Sequence, residues 1–252
     1  MMSEFGSPRT AIVTGGAKRI GAVLSRALAA DGWQVLIHCN QSRTEADALA
    51  AEIGASVVQA DLADPAAAAA ILSAVDPDAP VGLLVNNASL FEYDTLADFS
   101  VARWDRQHAV NLRAPTLLTQ AFALAVPDGA NGLIVNMLDA KLASMNPDYF
   151  SYTVSKAGLM AVTELAARAL SPRIRVNGIA PAVTMVSGPQ SRENFDAAHT
   201  HNPLGRGVSA EQIAAALRFI ISTPTLHGQV LTLDAGQRLL GMPRDVAFMV
   251  GQ

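Results

Sequence analysis

Short apolar runs alternate along this chain with longer stretches of helical periodicity, and this alternation limits its fold more than any other feature. We predict seven strands, at 10–14, 34–39, 56–60, 82–86, 132–138, 173–179 and 230–233. Helices are expected between them, near 20–31, 44–53, 65–75, 101–124, 151–170 and 210–222. Such alternation predicts βαβ units, and therefore an α/β, doubly wound parallel sheet with helices on both faces.

The chain has 252 residues, half of them apolar, which is enough to bury a large core in one domain. We predict a flexible N-terminus at 1–8 and a single catalytic domain at 9–252. Asp64 is expected to cap the third helix, with Pro65 at its first position. The stretch 182–208 is long, irregular and placed just after a strand, so we expect it to form a substrate loop that covers a site.

Composition excludes several classes of function. The formal net charge is −4 and no basic run exceeds a Lys-Arg pair, so nucleic acid is not expected as a partner. No apolar run reaches the ~18 residues of a membrane helix, and the polar N-terminus lacks the core of a secretory signal. The single cysteine, Cys39, excludes an internal disulfide, reads as a buried strand-end residue and fits a reducing cytoplasm. We assign no metal site.

Tyr152 and Lys156 are four residues apart, which places a phenol and an ammonium on one face of a helix. A nearby ammonium favours phenolate, so we expect it to lower the tyrosine pKa and make the hydroxyl a usable acid or base. This spacing alone is a weak signal. Together with the early glycine-rich turn at 14–21, it indicates hydride transfer to or from a nucleotide cofactor.

The turn at 14–21 joins the end of a strand to the start of a helix, where backbone amides can bind a pyrophosphate. An ordinary βα turn is the alternative. Arg19 stands where the dinucleotide fingerprint would offer another glycine.

About 20 residues further on, an NAD site offers a carboxylate to the adenosine ribose, but 38–43 contains no acid. Lys18 and Arg19 supply positive charge there, which suits a 2′-phosphate, so we expect NADP(H). The alternative is that Lys18 and Arg43 are solvated surface charges. Polar groups after later strands, including Asp61 near the adenine, complete the cofactor set, although such residues also cap turns. That set is Gly15, Lys18, Arg19, Ile20, Gly21, His38, Asn40, Gln41, Ser42, Asp61, Leu62, Asn87, Ala88, Ser89 and Pro181.

Together these motifs resemble the short-chain dehydrogenase/reductase family, and the resemblance spans 10–236. It rests on 14–21, Asp61, 86–88, Asn111, Tyr152 with Lys156, 175–181 and 233–236. The resemblance implies a single Rossmann-type domain with seven parallel strands, often assembled as a homotetramer.

Four features are similar to the pteridine reductase branch: Arg19, the run 87–89, Phe91, and Asp139 where the general family has serine. In that branch the phenylalanine stacks a pterin ring against the nicotinamide. The resemblance therefore assigns Phe91 and Ser89 to the substrate, although Phe91 can also be read as a loop anchor. Arg206 is the best candidate in the substrate loop for binding a charged ligand tail.

The resemblance also implies the catalytic roles. Lys156 bonds the nicotinamide ribose and tunes Tyr152, while Asn111 holds a water that links Lys156 to solvent. Tyr152 donates a proton, or supports Asp139 in doing so. A carboxyl group buried there has a raised pKa and can act as an acid. Alternatively, Asp139 pairs with a cation such as Lys141 and only orients Tyr152.

Three functions follow from these expectations. The first is an NADPH-dependent reductase of dihydropterin or dihydrofolate-type substrates. The second is an NADPH-dependent carbonyl or quinone reductase of another small substrate, in which Asp139 is incidental. The third is a non-catalytic NADP(H)-binding regulatory protein.

Overall fold

All seven predicted strands pair in one parallel sheet of order β3-β2-β1-β4-β5-β6-β7. The structure is a computed structural model that describes residues 5, 9–186 and 190–250. The strands are β1 Thr10–Val13, β2 Gln34–Cys39, β3 Ser56–Gln59, β4 Val81–Asn86, β5 Gly132–Met137, β6 Ile174–Pro181 and β7 Val230–Leu233. The predicted α/β, doubly wound parallel sheet is confirmed.

Helices cover both faces of this sheet. They are α1 Arg19–Ala30, α2 Arg43–Ile53, α3 Ala67–Ser73, α4 Val101–His108, α5 Ala114–Ala125, α6 Phe150–Leu170, α7 Arg192–Thr200, α8 Ala210–Ser222 and α9 Val246–Met249. Successive strand residues point to opposite faces, so Val13 enters one core cluster and Ile12 the other. Because both faces are buried, the middle residues of β4 and β5, at 83–85 and 133–135, are all apolar.

The helix predicted over 101–124 is interrupted. Residues Ala109–Arg113 form a π-helical turn between α4 and α5, and Asn111 lies within it. Such turns are rare and often occur at functional sites. A regular apolar pattern does not reveal the one extra residue in the turn, so the sequence predicted a continuous helix.

The helix predicted from Pro65 begins at Ala67 instead. The carboxylate of Asp64 accepts the backbone N–H of Ala66 at 2.8 Å, so it caps a turn that precedes the helix. The expected capping residue therefore lies two residues before the N-cap position of the helix, which Ala66 occupies.

The stretch 182–208 is not wholly irregular, because it contains α7. The Ser191 hydroxyl caps this helix by accepting the backbone N–H of Asn194 at 3.1 Å. The Gly188-Pro189 pair that favoured a loop lies outside the described residues. So does most of the segment 1–8, where the described Phe5 is buried and its ring centroid lies 5.6 Å from that of Trp33.

The carboxyl ends of β1 and β4 lie side by side, while their chain connections run in opposite directions across the sheet. Ligands of open α/β sheets bind in the crevice at this kind of switch point. Across the described part of the chain, no helix is both long and apolar enough to cross a bilayer.

Candidate active site

A cleft of about 940 Å³ follows the carboxyl edge of the sheet. It brings together residues that are far apart in sequence, from the turn after β1 to the segment around α9. The predicted site residues that line it are Gly15, Lys18, Arg19, Ile20, Gly21, Asn87, Ala88, Ser89, Phe91, Asp139, Tyr152, Lys156 and Pro181. Within 9–186 and 190–250, no group of three or more His, Cys, Asp or Glu side chains is placed to hold a metal ion.

The glycine-rich turn at one end of the cleft is closely packed. Gly15 has a φ of +60°. A Cβ atom on Gly21 would lie 2.1 Å from the Gly15 carbonyl oxygen, so only glycine fits there. Arg19, the first residue of α1, has a φ of +55°, a conformation that favours glycine. An arginine therefore occupies a glycine-like backbone position beside the cleft.

Thr14 and Asn87 hold this turn in place. The Thr14 hydroxyl accepts the backbone N–H groups of Asn87 at 2.9 Å and Ala88 at 3.0 Å. The Asn87 amide donates to the carbonyl oxygens of Thr14 at 2.8 Å and Gly15 at 3.2 Å. The predicted Asn87 thus shapes the turn as well as lining the cleft. The positioning role of Thr14 was missed by the sequence reasoning.

His38 is buried beneath the same turn. Its Nδ1 accepts the backbone N–H of Gly15 at 3.2 Å, and its Nε2 lies 3.1 Å from the carbonyl oxygen of Ala60. These partners require a neutral ring with its proton on Nε2. Desolvation lowers the His38 pKa and favours this neutral form. His38 therefore fixes the position of the turn from below the cleft.

Carboxylates already neutralise the cations near the end of β2. Lys18 forms an ion pair with Glu45 in the first turn of α2, and Arg43 bonds Asp47 at 2.8 Å. Both acids lie just after the run 38–43, the run in which an NAD site would carry a carboxylate. Of the remaining residues predicted to bind the cofactor, Asn40 and Gln41 are exposed and Ser42 is the residue before α2.

The residues predicted near the adenine have different surroundings. Asp61 is exposed, and its carboxylate accepts the backbone N–H of Ala63 at 2.9 Å. Leu62 is buried in the core with Ile71 and Leu84. Of these two residues, Asp61 presents its side chain to the surface and Leu62 does not.

At the other end of the cleft, the Tyr152 hydroxyl donates to Oδ2 of Asp139 at 2.7 Å. Oδ1 of Asp139 accepts the backbone N–H of Lys141 at 2.8 Å. Desolvation raises the pKa of Asp139, as expected for a carboxyl group in this place. The ammonium group of Lys141 instead donates to the Asp148 carbonyl oxygen at 2.5 Å and lies 3.6 Å from Asp245.

The expected lowering of the Tyr152 pKa is wrong for this structure. Burial, and then the charge of Asp139, raise that pKa well above its usual value. Lys156 lies with its Nζ 5.8 Å from the Tyr152 ring centroid and donates to the carbonyl oxygen of Met137 at 2.8 Å. Desolvation lowers the Lys156 pKa to about 8. Burial thus dominates the ammonium effect that the spacing alone had suggested.

Asn111 uses its whole side chain to join the loop after β4 to α6. Its amide group donates to the Leu90 carbonyl oxygen at 2.9 Å and to the Ser155 hydroxyl at 3.1 Å. Its carbonyl accepts the Leu90 N–H at 2.8 Å and the Ser89 hydroxyl at 3.2 Å. Both donors and both acceptor positions are engaged. A water held by Asn111 must therefore bond its backbone.

Phe91 lies in the cleft with 41% of its surface exposed. Its ring stacks on Tyr149 with centroids 4.1 Å apart, and meets Tyr152 edge to face at 4.7 Å. Tyr149, which the sequence reasoning missed, has a φ of +54°, and a strained backbone of this kind concentrates at functional sites. An aromatic surface thus extends outward from the Tyr152 hydroxyl.

Arg206 lies apart from the cleft, in an exposed turn after α7. Its backbone N–H and carbonyl both bond the side chain of Asn202, at 3.2 Å and 2.8 Å. The segment around α9 lines the cleft instead, through Met242, Asp245, Val246, Ala247 and Phe248. No motif follows Gly236 in the sequence, so nothing there signalled this wall.

The chain is similar in sequence and fold to several known oxidoreductases. A family model described as Enoyl-(Acyl carrier protein) reductase matches residues 15–238. The solved structure of FolM alternative dihydrofolate reductase 1 from Brucella suis, in complex with NADP, is 40% identical with a TM-score of 0.88, over 92% of this chain and 96% of that one. The Brucella canis protein of the same name, also with NADP, is 38% identical with a TM-score of 0.85, over 92% and 94%. A short-chain type dehydrogenase/reductase of Picea abies is 30% identical over 91% of this chain and 92% of its own.

Proposed function

We propose that this chain, which belongs to the short-chain dehydrogenase/reductase family, reduces dihydropterin or dihydrofolate-type substrates with NADPH. It is an NADP-dependent oxidoreductase of that family. The observation that carries the finer proposal is the hydrogen bond from Tyr152 to Asp139, beside the exposed ring of Phe91. The two FolM structures, described as alternative dihydrofolate reductases, add support.

The glycine-rich turn fits a dinucleotide. Gly21 packs against the Gly15 carbonyl with no room for a Cβ atom, which keeps the turn tight. Backbone N–H groups at the start of α1 suit a pyrophosphate. Lys18 and Arg19 line the cleft beside it and suit a 2′-phosphate. When bound, NADPH supplies the hydride.

The chain's own residues then manage the proton. The raised pKa of Asp139 keeps this carboxyl protonated at a higher pH than an exposed aspartic acid. A proton that leaves the Tyr152 hydroxyl is replaced along the 2.7 Å hydrogen bond to Asp139. Lys156, when charged, stabilises the phenolate in the interval. Phe91 offers a flat face that orients a planar substrate ring.

The direct test is the loss of NADPH absorbance with dihydrobiopterin, dihydrofolate and a generic quinone in parallel. We expect turnover of the two pterins and little with the quinone. The Tyr152→Phe variant should lower kcat by about 10²–10⁴-fold while still binding NADPH, as judged by cofactor fluorescence. Turnover of the quinone alone would overturn the pterin assignment.

A second candidate is a carbonyl or quinone reductase. Tyr152 and Lys156 share the cleft and can serve such a reaction without Asp139. The Asp139→Ser variant separates the two functions. Loss of pterin turnover supports the first, whereas full activity on a ketone with no pterin turnover by the wild type supports the second. Any turnover that Tyr152→Phe abolishes excludes a non-catalytic NADP(H)-binding role.

A cytoplasmic homotetramer remains our proposal for the working state of the protein. Large apolar side chains on two helices support self-association, because Leu124 on α5 is 84% exposed and Leu165 on α6 is 64% exposed. Sedimentation at the mass of four chains is the expected result, and sedimentation as a monomer would contradict it.

A further inference from the structure

A buried carboxylate near the catalytic tyrosine binds the distant C-terminal segment. The Asp148 side chain, only 2% exposed, accepts Nε of Arg244 at 2.8 Å and Nη2 at 2.8 Å. It also accepts the backbone N–H of Asp245 at 2.7 Å. Bidentate pairs of this kind are the strong ones, and a buried carboxylate without them is costly. Asp148 therefore ties 244–245 to the loop just before α6.

Lys141 forms a second tie at the same place. Its side chain is 9% exposed, its ammonium donates to the Asp148 carbonyl oxygen at 2.5 Å, and Asp245 lies 3.6 Å away. Desolvation lowers the Lys141 pKa, and the charges of Asp245, Asp139 and Asp148 oppose that shift. The cation thus lies among three carboxylates, two from the segment before α6 and one from the C-terminal segment.

These ties fix α9 against the cleft. The Asp245 carboxylate caps α9 by accepting the N–H of Ala247 at 3.1 Å. The Phe248 ring then lies parallel to Tyr149, with centroids 6.2 Å apart, and edge to face with Tyr93 at 5.2 Å. Asn194 of α7 donates to the Ala247 carbonyl oxygen at 2.9 Å. Asn194 therefore joins α7 to α9.

The aromatic rings form a sequence that leads away from the reacting hydroxyl. Phe91 contacts Tyr152, Tyr149 stacks on Phe91, and Phe248 lies beyond Tyr149. Phe91 is thus placed for the ring that is reduced. Phe248 lines the same cleft and lies next to Tyr149.

We propose that the segment 244–250 is a substrate-selecting wall, in which Phe248 contacts the substituent of the reduced ring. Asp148, Arg244 and Lys141 are the positioning residues that hold this wall. The inference rests on the proposed function for the nature of the ring, and it names the substrate class as planar rings with a bulky, flat substituent. Dihydrofolate has such a substituent, whereas an unsubstituted dihydropterin does not.

The test compares kcat and KM for these two substrates in the Arg244→Met variant. We expect KM for dihydrofolate to rise roughly tenfold with kcat nearly unchanged, and KM for the unsubstituted ring to change little. Backbone hydrogen exchange in 245–250 should accelerate, and Arg244→Lys should restore part of both properties. Arg168→Met, which breaks an exposed ion pair with Glu164 on α6, is the matched control and should change neither.

The Phe248→Ala variant tests the same proposal if the Arg244 variant fails to fold. It removes only the ring and keeps the contacts of Arg244 and Lys141 with Asp148. It should raise KM for dihydrofolate without faster exchange. Faster exchange with unchanged KM in Arg244→Met, or unchanged KM in Phe248→Ala, overturns the wall as a selector. If the wild type reduces only quinones, the proposed function fails, and the same comparison between a naphthoquinone and a benzoquinone decides the role of the wall.

Discussion

The hydroxyl of Tyr152 and the carboxyl group of Asp139 share a hydrogen bond of 2.7 Å, and the pKa of each is raised. Desolvation is the first cause in both cases, so the two acids hold their protons more tightly than exposed groups do. Both groups therefore stay protonated to a higher pH than exposed groups, in the part of the cleft where the Phe91 ring is exposed.

This pairing predicts a pH dependence. In the proposed reaction Asp139 acts while protonated, so kcat/KM should be high below its raised pKa and fall as pH rises through it. The Asp139→Asn variant, which cannot titrate, should lose that limb of the profile and much of the rate. The pH–rate profile of both proteins checks this. An identical limb in the variant would assign the titration to another group.

Replacing Lys156 with methionine should stabilise the fold and remove activity. The fall of the lysine pKa from 10.5 to about 8 corresponds to roughly 3 kcal/mol of stability lost at neutral pH. The variant also loses the hydrogen bond to Met137, which destabilises it by about 1 kcal/mol. We therefore expect the free energy of unfolding to rise by about 2 kcal/mol in total.

The sign of this effect depends on pH. Below pH 8 the folded wild type carries the buried charge and the gain is complete, whereas above 10.5 the lysine is neutral in both states and the gain vanishes. Denaturant unfolding of the variant and wild type at pH 7 and pH 10.5 measures it. If the difference in stability between variant and wild type were the same at both pH values, the argument from burial of the charge would be wrong.

Arg19→Gly should relieve backbone strain and weaken NADPH binding. A left-handed non-glycine residue costs about 1 kcal/mol, part of which the more flexible unfolded glycine chain offsets, so we expect a gain of about 0.5 kcal/mol. KM should rise for NADPH and not for NADH, because only NADPH carries the 2′-phosphate. Ala235→Gly, at a φ of +49°, is the control that should gain stability alone. Equal KM effects on both cofactors would place Arg19 elsewhere than at the phosphate.

Glu45→Gln should tighten NADPH binding. Glu45 pairs with Lys18, so neutralising the acid frees that ammonium for a phosphate. We expect KM for NADPH to fall a few-fold at low salt and the advantage to fade as salt screens the charge. Glu52→Gln on the same helix, where the acid pairs with Arg26, should leave KM unchanged. A rise in KM for the Glu45 variant would show that the ion pair itself supports binding.

Much of the fold was predictable because periodicity is a local property. Seven apolar runs predicted seven strands, and β2, β7 and α8 have the predicted bounds. The π-helical turn at 109–113 was not predicted, since one inserted residue leaves the apolar pattern nearly intact. The helix α7 was not predicted, because glycine and proline residues on both sides of it are typical of a loop.

The sequence by itself determined the strand–helix order, the tight turn that only Gly21 permits, and the presence of Tyr152, Lys156 and Asp139. Tertiary structure decided what those groups experience. Burial reversed the expected shift of the tyrosine pKa, because desolvation of the phenol and then the charge of Asp139 raise that pKa. It also brought Arg244 to Asp148 across 96 residues of chain, a contact that no local spacing encodes. Contacts between distant parts of the chain, and the exclusion of water by packing, exist only once the chain has folded.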